Sequence, residues 1–277
     1  MTRTLYVTDL DGTLLNNNSV VGDKSAQILR DLTDDGALIT VATARTPATV
    51  VGLLANTRIS LPAVVMTGAT LYDIPSRRYI DPKFIDASTV EEAYTYLTER
   101  GINPFVYTLH ADQRLHAYHH REMTKLEHEF YDQRRDLSLK QFHFGEPIDD
   151  ESLIHTLLLF AVGQTDQLNK AAEEVSARTG QAVTCYNDIF HPGNSFMELF
   201  APGVSKAAAV RRLAEERGAG RIVAFGDNLN DIPMFREADV AVAVENAFDE
   251  AKEAADVVIG RNSADAVARY IAEDFYR

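Results

Sequence analysis

The sequence predicts an α/β fold: a Rossmann-like parallel sheet whose chain is interrupted by an inserted α+β domain. Three observations predict it. Short apolar runs alternate with helical patterns at both ends of the chain, the order that builds a parallel sheet with helices on its faces. Residues 83–192 break that order, with alternating strand patterns separated by turn residues. The first apolar run, residues 5–7, leads directly into Asp9-Leu10-Asp11-Gly12-Thr13, and open α/β sheets bind ligands beyond the carboxyl ends of their strands.

In chain order, residues 25–34 predict a helix ended by Gly36. Residues 37–42 form a buried strand that delivers Thr43 to the same edge as Asp9. Pro47 starts a short helix to Leu54, and residues 63–66 are a further buried strand of the parallel sheet. After Asp81-Pro82, Ser88 and Glu91 suggest a capping box for a helix to Arg100. Strands at 105–109 and 114–119, a polar helix at 122–134 and a strand at 153–162 follow. Thr165 is placed to cap a helix whose Leu168, Ala171, Ala172 and Val175 share one face. Residues 182–186 and 196–200 read as strands. From Gly203 the first pattern returns: a helix near Ser205, strands at 222–225 and 240–244, and a last helix with Ala264, Val267, Ala268 and Ile271 on one face. The predicted domains are a core of residues 1–82 and 193–277 and an insertion of residues 83–192.

Composition narrows the partners. The 277 residues suit about two domains, and the 45% hydrophobic fraction supports a core. A net charge of −14, from 27 basic and 41 acidic residues, argues against nucleic acid and anionic membrane surfaces. The one cysteine, Cys185, excludes an internal disulfide and fits a reducing cytosol. A first strand so near the amino terminus leaves no room for a signal peptide, and the longest apolar run is too short to span a bilayer. A cytoplasmic protein is expected.

Two carboxylates one residue apart at a strand end are costly unless a cation lies between them or one keeps a proton. Both conditions suit phosphoryl transfer, in which one carboxylate attacks phosphorus and the other shuttles a proton. Gly12 permits the tight turn beside them.

Four motifs, in order, carry a family resemblance: Asp9-Leu10-Asp11-Gly12-Thr13, Val41-Ala42-Thr43-Ala44-Arg45, Gly203-Val204-Ser205-Lys206, and Gly226-Asp227-Asn228-Leu229-Asn230-Asp231. The segment Ala241-Val242-Ala243-Val244-Glu245-Asn246-Ala247 adds to them. The chain resembles phosphatases of the haloacid dehalogenase (HAD) superfamily, of the Cof type with a C2B cap. The resemblance implies a HAD core with an α+β cap and a magnesium-dependent phosphomonoesterase acting on small phosphorylated metabolites, such as sugar phosphates, through an aspartyl-phosphate. It implies Asp9 as nucleophile and Asp11 as general acid and base. Dehalogenase members lack an acid at the second position and P-type ATPases have Thr, so Asp11 favours a phosphatase or mutase.

The resemblance also implies Mg2+ held by the Asp9 side chain, the Asp11 carbonyl and Asp227, hard oxygen ligands of the kind that cation takes. Asn230 and Asp231 would orient metal-bound water or the lysine, or cap the helix starting at Ile232. Thr43 offers a hydroxyl to a phosphate oxygen. Lys206, in the first turn of a helix, gains nothing from the helix dipole and makes sense facing phosphate or Asp9. Arg45 clamps substrate or forms a structural ion pair. Three positions depart from the family pattern: Ala44 and Glu245 stand where Gly is usual, and Thr67 where Asn is usual. They put substrate contacts in question rather than the acids.

All eight histidines lie between His110 and His191. The spacing of His116, His119 and His120 suits exposed or hydrogen-bonding roles better than metal. The loop from Tyr186 to Asn194, with Asn187, His191 and Asn194, is either a wall over the active site or an ordinary Pro-Gly turn. The alternatives to a phosphatase are a phosphomutase of the same superfamily and a non-catalytic metabolite-binding protein. Oligomeric state is not legible.

Overall fold

The computed structural model describes residues 3–59, 61–188 and 191–277. The chain divides into two compact units: Met1–Asp81 with Val204–Arg277, and Pro82–Gly203.

The first unit is built on a five-stranded parallel sheet. Its order is Val257–Ile259, Val240–Val244, Arg221–Gly226, Thr4–Thr8, Leu38–Val41. Leu5, Tyr6 and Val7 are all buried, as are Val223, Ala224 and Phe225 beside them. Strands covered on both faces carry such unbroken apolar runs. The chain winds outward from Thr4–Thr8 in one direction and from Arg221–Gly226 in the other, so the switch point lies between these two strands. Their carboxyl ends are where a ligand is expected.

Residues 63–66 depart from expectation. Only Ala63–Val65 is a strand, and it pairs antiparallel with Thr70–Asp73, which pairs antiparallel with Arg78–Ile80. One parallel bridge, Ala42 to Val64, links this small sheet to the main one.

The second unit is a six-stranded sheet in the order Val183–Asn187, Asn194–Leu199, Thr156–Gln164, Phe105–Leu109, Leu115–His119, Lys140–Phe144. All neighbours are antiparallel except the last pair. Helices Ala87–Thr98 and Thr165–Thr179 pack on each other and on Thr156–Gln164. Leu168, Ala171, Ala172 and Val175 are the buried face of the second helix, as their spacing predicts.

Three expectations are corrected here. A boundary after Pro192 falls in the turn of a hairpin, because Asn194–Leu199 pairs with both Val183–Asn187 and Thr156–Gln164. The second unit therefore runs to Gly203. Ser88 caps nothing: the helix already begins at Ala87, after Asp86. The strand expected from Leu153 begins only at Thr156, because Leu153 ends a short helix, Asp150–Leu153, capped by the Asp149 carboxylate on the Ser152 amide at 2.7 Å.

Candidate active site

The strand ends bring the predicted acids together. Asp9 follows Thr4–Thr8, and its amide donates to the Phe225 carbonyl at 2.9 Å. Asp227 follows Arg221–Gly226. Lys206 opens the helix Lys206–Arg217, which Ser205 caps through the Ala208 amide at 3.1 Å. Gly68, at φ +95°, lets the chain approach this cap: a Cβ there would sit 2.3 Å from the Ser205 carbonyl oxygen. The cap thus fixes where Lys206 starts.

The Lys206 ammonium is buried and donates to Asp9 Oδ1 at 2.6 Å and Asp231 Oδ1 at 2.8 Å. Asp231 is fully buried, and its Oδ2 accepts from the amides of Asp227 at 3.1 Å and Asn228 at 3.2 Å. Gly226 leaves room for it, since a Cβ there would lie 2.5 Å from Asp231 Cβ. Thr13 donates to Asp227 Oδ1 at 3.0 Å.

Asp11 points elsewhere. Its two oxygens accept a bidentate pair from Arg45 Nε and Nη2, each at 2.7 Å. Such a fork fixes the orientation of a carboxylate as well as its position. Thr43 is buried at the end of the neighbouring strand, and its hydroxyl accepts from the Arg45 amide at 3.2 Å.

The charges do not balance. Three carboxylates, Asp9, Asp227 and Asp231, have ligand atoms within 4.8 Å of one another, against one ammonium, so that full ionisation would leave two negative charges uncompensated. Burial, with the charges of Asp231 and Asp227, raises Asp9 to about 8 despite Lys206. Burial and Asp231 raise Asp227 to about 6. Burial opposes the Lys206 charge, yet Asp9 and Asp231 hold its pKa above the usual lysine value.

Residues 6–271 match the family of haloacid dehalogenase-like hydrolases. The chain belongs to that family, as a Cof-type phosphatase. It is 29% identical over 285 residues to the 5-amino-6-(5-phospho-D-ribitylamino)uracil phosphatase YwtE of Bacillus subtilis (strain 168), covering 95% of each chain. It is 24% identical to the pyridoxal phosphate phosphatase YbhA of Escherichia coli (strain K12), covering 98% of each. A crystal structure of a haloacid dehalogenase-like hydrolase from Bacteroides thetaiotaomicron shares the fold. Its TM-score is 0.79 at 22% identity, covering 99% of this chain and 100% of that one.

The donor set of this phosphatase fits a divalent cation. Two uncompensated buried charges are what such an ion would neutralise, and all the donors are hard oxygens. Asp231 belongs to the carboxylate cluster, but its oxygens are committed to Lys206 and two amides. Asp9 and Asp227 would be the better ligands, each with one oxygen outside the hydrogen bonds above. Gly12, at φ +75°, faces Asp227 so closely that a Cβ would lie 2.2 Å from its Oδ2. That closeness leaves the acid no side chain to compete with.

The other predicted site residues divide. Asp231 orients the lysine. Asn230 is exposed and, among the described residues, makes no side-chain hydrogen bond. Arg45 forms the Asp11 pair. Thr13 lay inside the first motif, but its bond to Asp227 joins residues 214 apart and needs the fold to be seen.

In the second unit, Asn187 Oδ1 accepts from Ser195 at 3.2 Å. Asn194 donates to the His191 carbonyl and accepts from Gln164, both at 3.3 Å. His191 lies between Asp188 at 2.7 Å and Glu129 at 3.2 Å. Ile189 and Phe190 of the same loop lie outside the described residues. His116 and His119 are buried rather than exposed, with ring nitrogens spent on His143 at 2.9 Å and on the carbonyls of His120 and Asn103. Among the described residues no helix is long and apolar enough to cross a membrane.

Proposed function

We propose that this phosphatase is a magnesium-dependent phosphomonoesterase that hydrolyses small phosphorylated metabolites through an aspartyl-phosphate on Asp9. The observation that carries this is the Asp9 carboxylate: held on one oxygen by Lys206 at a strand end, inside a cluster with two negative charges to spare. Asp9 and Asp227, with the Asp11 carbonyl, would hold Mg2+, which supplies charge neutralisation to the transferring phosphoryl group.

Asp9 attacks phosphorus and the ester oxygen leaves. Lys206 fixes the attacking carboxylate, and its ammonium faces the phosphoryl oxygens. Thr43 donates its hydroxyl to one of them. Asp11 gives a proton to the leaving alkoxide, then takes one from the water that hydrolyses the acyl phosphate. For both transfers Asp11 leaves the Arg45 fork, which occupies both of its oxygens in this structure. Residues 82–203 choose the leaving group. The names of YwtE and YbhA point to phosphate on a primary alcohol attached to a small polar heterocycle, so ribityl and pyridoxyl phosphates join sugar phosphates as the first candidates.

A panel of phosphorylated metabolites, assayed for released phosphate with Mg2+, tests the proposal. EDTA should silence hydrolysis and Mg2+ restore it. Activity that survives exhaustive chelation, or returns only with Zn2+, would exclude the hard-oxygen site.

A further inference from the structure

The turn that carries Asp11 and Gly12 is held from outside by two asparagines. Asn246, exposed in the loop after Val240–Val244, donates its Nδ2 to the Gly12 carbonyl at 2.7 Å. Its Oδ1 accepts from the Asn262 amide at 3.0 Å. The Asn262 side chain donates to the Leu15 carbonyl at 2.8 Å. Inside the turn, the Leu15 amide returns to the Leu10 carbonyl at 2.8 Å. The same loop reaches Asp227, whose carbonyl accepts from the Phe248 amide at 2.9 Å.

We infer that Asn246, braced by Asn262, is a positioning residue that sets the geometry of the Asp11–Gly12 turn against Asp227, and through it the divalent-cation affinity and turnover of the site. The inference rests on the proposed magnesium-dependent mechanism. Gly12 is in the left-handed region at φ +75°, where glycine has several accessible neighbouring conformations. A ligand carbonyl one residue before such a hinge keeps its direction only if the hinge is tied. The Gly12 carbonyl is that tie point.

Asparagine suits the task because one amide group both donates and accepts. An aspartate has the same shape but no donor, and would set a carboxylate against the Gly12 carbonyl. Glu245 and Arg261, the residues just before the two asparagines, pair at 3.4 Å while both are exposed. Exposed pairs contribute little, so the amide bonds carry the connection.

Asn246→Asp, Asn246→Ala and Glu245→Gln test this in the full chain. Mg2+ binding is titrated by calorimetry, thermal unfolding is followed in EDTA, and kcat and KM are measured with p-nitrophenyl phosphate. Both Asn246 variants should keep the Tm in EDTA and bind Mg2+ roughly five-fold or more weakly, the factor expected for one lost hydrogen bond. Their kcat should fall more than KM changes, and Glu245→Gln should match the wild type. Mg2+ affinity and kcat within two-fold of wild type in both Asn246 variants would overturn the inference. So would a Tm in EDTA that falls in step with the lost affinity, or an equal effect of Glu245→Gln. Failure of the underlying mechanism reads differently: the wild type itself would not bind Mg2+ or need it.

Discussion

Lys206 pairs with two buried acids, and its single charge cannot balance the three carboxylates gathered around it. Asp9→Asn should abolish turnover, since an amide is a poor nucleophile and a weaker cation ligand. Asp11→Asn should lose most of the rate but keep Mg2+ binding, because the proposed ligand there is the main-chain carbonyl. Phosphate release and calorimetric Mg2+ titration check both, and near-normal turnover in Asp9→Asn would sink the nucleophile assignment. The gathering of Asp9, Asp227 and Lys206 at one edge was legible, because each stands at or just past a predicted strand end or helix start. Partnership was not legible. Arg45 lies 34 residues from Asp11, and an exposed ion pair or a substrate clamp leaves the same letter in the sequence. Asn230 and Asp231 are neighbours, but only the buried one has the lysine.

Elements show where local signals were outweighed. The strands Thr70–Asp73 and Arg78–Ile80 are only four and three residues long, too short for alternation to register. Lys140–Phe144, an edge strand, leaves little signal for a different reason: it opens on a buried lysine that lies over the Tyr107 ring at 4.8 Å. Just before the hidden hairpin, Thr67 has φ 58°, a region that costs L-residues about 1–2 kcal/mol and that asparagine tolerates far better. Thr67→Asn should therefore stabilise the protein by about 1 kcal/mol, read as a higher urea midpoint with unchanged slope.

A second element-level prediction concerns the helix Lys125–Asp132. Thr124 and Glu127 form its capping box, and the buried Glu127 also faces His119 at 3.7 Å. Burial works against the Glu127 charge, but His119 and the Thr124 amide outweigh it and lower the pKa. A depressed carboxylate contributes stability above its unfolded value, about 4.3, and loses it as pH falls through the lower folded value. The Tm gap between wild type and Glu127→Gln should thus be full at neutral pH and close under acid. A gap independent of pH would mean the capping geometry, not the charge, is what matters.

At the scale of the whole molecule, the chain interrupts one sheet to build another. The departure near residue 82 was legible, since the pattern changes at once there. The return was not, because the hairpin Val183–Asn187 and Asn194–Leu199 ends in a Pro-Gly turn that resembles a linker, and only pairing with Thr156–Gln164 assigns its second strand. All the acids of the site belong to the first unit, so the chemistry can be constant while the second unit varies. A nucleophile open to bulk water would lose the strength of every electrostatic contact around it, and a unit that excludes water can also select the leaving group. Asn187 is tied to Ser195, Asn194 to His191 and Gln164, and His191 to Asp188 and Glu129, contacts that shape one loop. Alanine at each should change KM and the ranking of substrates more than the rate with p-nitrophenyl phosphate, whose small leaving group asks little of that loop. Measuring kcat/KM for a panel of esters in each variant decides it. Uniform loss across the panel, the generic ester included, would place these side chains in folding and move the choice of substrate to other residues of the second unit.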